Sequence, residues 1–167
     1  MQNHPTATYE EYPEGGYHDF WLLHEDEHEY RSHTIFWGRK DAPVRIPNVT
    51  LEHLIESLGW LPTVNPAYES LPIGYSLNHF GPTVINAAGA AMWSQIMRGW
   101  AQIFATGPSV LRLPSGTYND KKEDGTIVTY WYTIKIDRDL FVADLLMLAE
   151  WGDKAATGDY FILHIGI

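Results

Sequence analysis

Cysteine is absent from the 167 residues. That excludes a disulfide framework, a thiolate zinc site and a cysteine nucleophile. Positive charge is missing from one end: residues 1–30 hold no Lys or Arg, and the first base is Arg31. Long apolar runs are lacking too. The longest nearly apolar stretch, 83–93, contains Asn86 and falls well short of the ~20 residues a spanning helix needs. The first residues carry no basic start followed by an apolar core of signal type, so the expectation is a soluble, cytoplasmic protein away from any membrane. Glycine and proline are present at ordinary levels, which excludes collagen-like and low-complexity chains. Glycine-rich phosphate-binding motifs are also missing.

What is present is enough apolar material for one core. Hydrophobic residues make up 45% and aromatic residues 14% of the chain. At roughly 150 residues per domain, the length implies one domain. The formal net charge of −10 argues against nucleic acid held by phosphate contacts. That charge is unevenly spread. Residues 1–30 carry eight acids, whereas the other 137 carry 13 acids and 11 bases. A field of that sign speeds encounter with a basic partner.

The pattern divides into an irregular acidic arm over 1–16 and a globular domain over 17–167. Aromatic runs at 17–23 and 33–37 flank a charged tip and predict a β-hairpin. Residues 38–47 hold two prolines and read as a connection. Residues 50–58 place Leu51, Leu54, Ile55 and Leu58 at helical spacing, with Thr50 as N-cap. Residues 60–82 read as a long irregular stretch with four prolines.

A second helix spans 86–105, with Trp93, Ile96, Met97, Trp100, Ile103 and Phe104 on its apolar face and Ser94, Arg98 and Gln102 opposite. Strands are predicted at 110–113 and 126–136, the latter from its period-two alternation. The polar segment 115–125 would join them. A helix over 139–151, capped by Asp137 or Asp139, is apolar on most of its surface. The last strand, 160–165, is apolar on both faces except for His164, which predicts a central place in the sheet and a hydrogen-bonded core histidine. The fold class is therefore α+β: a single domain with an antiparallel or mixed sheet packed against two or three helices.

Two sites stand out. Glu10, Glu11, Glu14, Tyr17, Asp19, Glu25, Asp26, Glu27, Glu29 and Tyr30 interleave acids with tyrosines. That pattern suits an interface combining steering with aromatic anchors. The expected function is a non-catalytic module that binds a basic protein partner. In size and charge it is similar in character to immunity proteins that neutralise toxins and to inhibitors of enzymes. A homodimer through exposed aromatics is a further expectation. With His4, His18, His24 and His28 lying in the same acidic block, raised imidazole proton affinity is expected as well.

The second site is His24-Glu25-Asp26-Glu27-His28, which spells H-E-x-x-H. Over those five residues it resembles the zincin metalloproteases. The resemblance implies zinc on His24 and His28, with Glu25 as general base, and hence a small metal-dependent hydrolase as the alternative. The chain departs from the family pattern: Asp26 and Glu27 are charged where the family has uncharged residues, and no third-histidine extension follows. In the segment around Ser76, Asn78 and His79, the polar side chains are expected to serve loop backbone groups. His79 paired with a carboxylate is the acid–base alternative there.

Overall fold

Strands form where apolar side chains alternate, and the two long helices form where they recur every third or fourth residue. The structure, a computed structural model, describes residues 8–11, 16–27, 43–66 and 73–167. In chain order the elements are β1 (Thr8–Glu11), β2 (Tyr17–His24), β3 (Val44–Pro47), α1 (Asn48–Leu51), α2 (Ile55–Leu58), β4 (Pro62–Val64), β5 (Ile73–Tyr75) and β6 (Gly81–Ile85). Then come α3 (Ala87–Ala105), β7 (Val110–Lys121), β8 (Ile127–Asp137), α4 (Arg138–Ala155) and β9 (Tyr160–Gly166). A six-stranded antiparallel sheet runs β3-β2-β9-β6-β4-β5, and a second sheet runs β1-β8-β7. The α+β class is as expected, and β9 is central, between β2 and β6.

Parity along the central strands sorts their side chains between two cores. Phe20 and Leu22 of β2, Ile162 of β9 and Ile85 of β6 join the main cluster with α3 and α4. Trp21, Leu23, Val84, Phe161 and Leu163 form a second cluster on the other face. With both faces buried, these strands read as nearly continuous apolar runs.

α3 starts at Asn86, whose side chain accepts a hydrogen bond from the Ala88 amide. Its buried face differs from the expected stripe. Ser94 is buried and Ile103 is 58% exposed. The reason is a close crossing with α4, where Gly152 lies against Ala90 and Ser94. Small residues mark the point of closest approach. The indole of Trp93 still anchors it by donating to the Leu148 carbonyl at 2.9 Å. α4 is capped by Asp137, which accepts from the amides of Asp139 and Leu140. It is buried on one side only: Leu140, Leu146 and Met147 are exposed.

Other local expectations give way to tertiary pairing. Residues 50–58 form two single turns separated at 52–54, and Thr50 lies inside α1, not at its cap. Within the expected connection, Val44 and Ile46 bury their side chains and pair with β2 as an edge strand. The expected partner strand at 33–37 lies outside the described residues. The stretch 60–82 contains β4, β5 and the start of β6. The polar segment 115–125 continues β7 as far as Lys121. Continuation depends on a bulge between Pro114 and Gly116, where Gly116 takes φ +142°, a conformation that L side chains rarely adopt. Within the expected irregular arm, Thr8–Glu11 form a strand parallel to β8.

Candidate functional site

The acidic candidates separate in space. Glu10 and Glu11 sit in β1, opposite Tyr132 and Thr133 of β8. Tyr17 and Asp19 sit on β2, one residue apart in parity from the buried His18 and Phe20, and face away from the helices. Arg45 of β3 engages both. Its guanidinium donates to the two Asp19 carboxylate oxygens at 2.7 and 3.0 Å and lies 5.1 Å from the centre of the Tyr17 ring. Asp19 is thus already neutralised by a bidentate pair. Glu14, Glu29 and Tyr30 lie outside the described residues.

Glu25, Asp26 and Glu27 stay together. They form the turn that leaves β2, and all three are exposed. The turn is built locally: the Glu27 amide donates to the His24 carbonyl at 2.9 Å, and the Glu27 carboxylate accepts from the His24 amide at 3.2 Å. The Glu25 amide donates to the Asp159 carbonyl at 3.0 Å. That bond brings exposed Asp159, just ahead of β9, to the same end of the sheet. A fourth acid therefore joins the tip from a distant part of the chain.

Of the two histidines expected as metal ligands, only His24 lies among the described residues. His24 is the last residue of β2. His28 lies outside the described residues. The His24 Nδ1 already accepts from the Asp26 amide at 3.3 Å. Among the described residues no group of three or more His, Asp or Glu side chains is placed to hold a metal ion. Among them, too, no helix is long and apolar enough to cross a membrane.

A chain of polar side chains runs from the surface into the core at the opposite end of β2. His18 and His164 are 1% and 0% exposed. The His18 Nδ1 lies 2.7 Å from the His164 Nε2, and the His18 Nε2 lies 2.9 Å from the Asn48 Oδ1. The Asn48 Nδ2 donates to Glu52 at 2.9 Å. That last bond fixes the tautomers. Asn48 presents its oxygen to His18, so His18 carries hydrogen on Nε2 and accepts at Nδ1. His164 must then donate from Nε2. Its Nδ1 is left as a buried lone pair with no hydrogen-bond partner.

Burial holds His18 below the ordinary histidine value of 6.5 despite the bond to Asn48 and the charges of Asp19 and Glu52; His79 adds to the lowering. Burial, then the His18 ring, holds His164 well below 6.5. The expectation of raised proton affinity in the acidic block fails at His18 because desolvation outweighs the nearby carboxylates. His4 and His28 lie outside the described residues.

His164 is the hydrogen-bonded core histidine that its strand predicted. His79 is exposed, with its ring centre 5.9 Å from that of His18. Asn78 serves the loop, as expected. Its amide donates to the Thr83 hydroxyl and its side chain donates to the Pro82 carbonyl. Sequence reasoning missed Asn48 and the pairing of His18 with His164. The available signal was parity: His18 shares its strand face with Phe20 and Leu22.

Comparison of the chain with protein-family models, curated proteins and solved structures finds no match.

Proposed function

We propose that the protein is a non-catalytic cytoplasmic module that binds a basic partner protein, in the manner of an immunity or inhibitor protein. The observation that carries this reading is the acidic tip, where exposed Glu25, Asp26 and Glu27 are joined by Asp159 at one end of the sheet. The turn is internally hydrogen-bonded, so it presents the carboxylates with little ordering left to lose. Exposed charges of this kind contribute only about 0.2–1 kcal/mol per pair to stability. Their larger effect is on encounter: complementary fields raise association rates from about 10⁵–10⁶ to about 10⁸ M⁻¹s⁻¹ at low salt.

The test is affinity capture from the cells that make the protein, in about 50 mM and about 500 mM salt. The bait is the native sequence or a triple variant, Glu25→Gln, Asp26→Gln and Glu27→Gln. The expected result is one basic protein retained at low salt by the native sequence and depleted with the variant. Equal retention by both baits, or no basic protein at low salt, overturns the proposal.

A further inference from the structure

The N-terminal end of β2 is held by few backbone bonds. Pairing with β9 begins only at Asp19, opposite Ile165. Tyr17 and His18 pair with β3 alone, and β3 is a four-residue edge strand. One further backbone bond, from the Asn48 amide to the Gly16 carbonyl at 2.9 Å, ties this end to α1. The side chain that anchors it is His18, clasped between His164 and Asn48.

We propose that the His18–His164 pair is an acid-operated latch: neutral, it fixes residues 16–19 against β9 and α1, and one added proton releases them. In the neutral pair, His164 Nε2–H donates to His18 Nδ1 and His18 Nε2–H donates to Asn48. A further proton has two routes. It binds the His164 Nδ1 directly, or it settles on His18 Nδ1, and His164 then shifts its own hydrogen to Nδ1 so that Nε2 can accept. Either way Nδ1 of His164 becomes an N–H, buried and without an acceptor. The ring beside it is Phe20, 4.9 Å away between centres. A buried charge on one ring or the other, together with an unpaired buried donor, is strongly disfavoured.

The groups facing the pair do not rescue it. On β2, Asp19 points to the other face and is held by Arg45 of β3. On the α1 side, Glu52 accepts from Asn48 and favours charge at His18, as Asp19 does, but burial outweighs both. His79, from the loop before β6, opposes added positive charge at His18. Hydration by opening the weakly held end of β2 is the remaining route. This latch stands independently of what the acidic tip binds.

The experiment uses the full chain alone. Nitrogen-15 NMR of the histidine rings at neutral pH is expected to show hydrogen on Nε2 and a bare Nδ1 for both His18 and His164. Hydrogen exchange followed by mass spectrometry, corrected for intrinsic rates, is then compared at about pH 7.4 and about pH 5.5. With an unfolded-state value of 6.5, opening of 16–24 and 160–166 is expected to rise by up to about 10-fold if one histidine is linked and up to about 100-fold if both are. Exchange across α3 is the internal reference. The variant His164→Gln keeps a donor for His18 but removes one titrating ring, and is expected to cut the excess to no more than the part His18 alone supplies. Three results overturn the latch: a hydrogen on the His164 Nδ1 at neutral pH, equal pH response of β2 and α3, or an undiminished response in His164→Gln. If that variant does not fold, the first two measurements decide.

Discussion

Replacing Gly152 by Ala is expected to destabilise the protein, although alanine is the better helix former. A Cβ at Gly152 would lie 2.9 Å from the Ala90 carbonyl oxygen, 2.9 Å from the Ser94 Cβ and 3.0 Å from the Ser94 amide nitrogen. Two of these are backbone atoms of α3, which cannot rotate away. The helices must separate, and Trp93, whose indole donates to the Leu148 carbonyl across the same crossing, must follow. Overpacking of this kind costs about 1–3 kcal/mol. The gain in helix propensity offsets about 0.8–1 kcal/mol of it. The net expectation is a loss of up to about 2 kcal/mol, or up to roughly 8 °C in Tm for a chain of this size. Gly99 supplies the contrast. It lies within α3, and a Cβ there meets nothing within 4 Å. Gly99→Ala should therefore stabilise by about 0.8–1 kcal/mol. Urea denaturation of both variants, with unchanged m-values, measures the difference. If Gly152→Ala is stabilised as much as Gly99→Ala, the close crossing of α3 and α4 is wrong.

Asp137→Ala removes the acceptor of two amides at the start of α4 and should cost about 1 kcal/mol, whereas Asp137→Asn should cost less; urea midpoints test both. Asn48→Asp sets a carboxylate beside the His18 Nε2 and next to Glu52, which raises the folded-state proton affinity of His18. The sign follows from linkage. His18 and His164 are held below 6.5 in the folded state. Their contribution is therefore complete above about pH 6.5 and is lost as pH falls below it, by at most about 1.4 kcal/mol per pH unit for each. The variant should lose less stability than the native sequence between about pH 7.5 and about pH 5.5. An equal or larger loss contradicts the tautomer assignment.

Legibility followed the distance over which each decision is made. β9 was readable because its burial on both faces shows in the six residues 160–165, and the cap at Asp137 is local chemistry. The Val44–Pro47 strand was not readable. Four residues ending in proline carry too little alternation, and pairing with Tyr17–Phe20 is what makes it a strand. The distal half of β7 looked like a loop because Asn119, Asp120 and Lys121 are polar; their strand form comes from pairing with residues 127–129 across the turn. At the candidate sites, the acidity of 25–27 was plain. The addition of Asp159 depends on a fold-level approach between the ends of β2 and β9. Parity places His18 and His164 on inward faces, but periodicity alone does not set the register that brings together residues 146 positions apart.

On the proposed reading, the Glu25–Glu27 turn, with Asp159, steers a basic partner. The most direct measurement is the association rate with the captured partner as a function of ionic strength, for the native chain and for the Glu25→Gln, Asp26→Gln, Glu27→Gln variant. The account predicts a native rate that falls steeply with salt, a variant rate about tenfold lower at low salt, and convergence of the two above about 0.5 M. Native and variant rates that coincide at every salt concentration would contradict it.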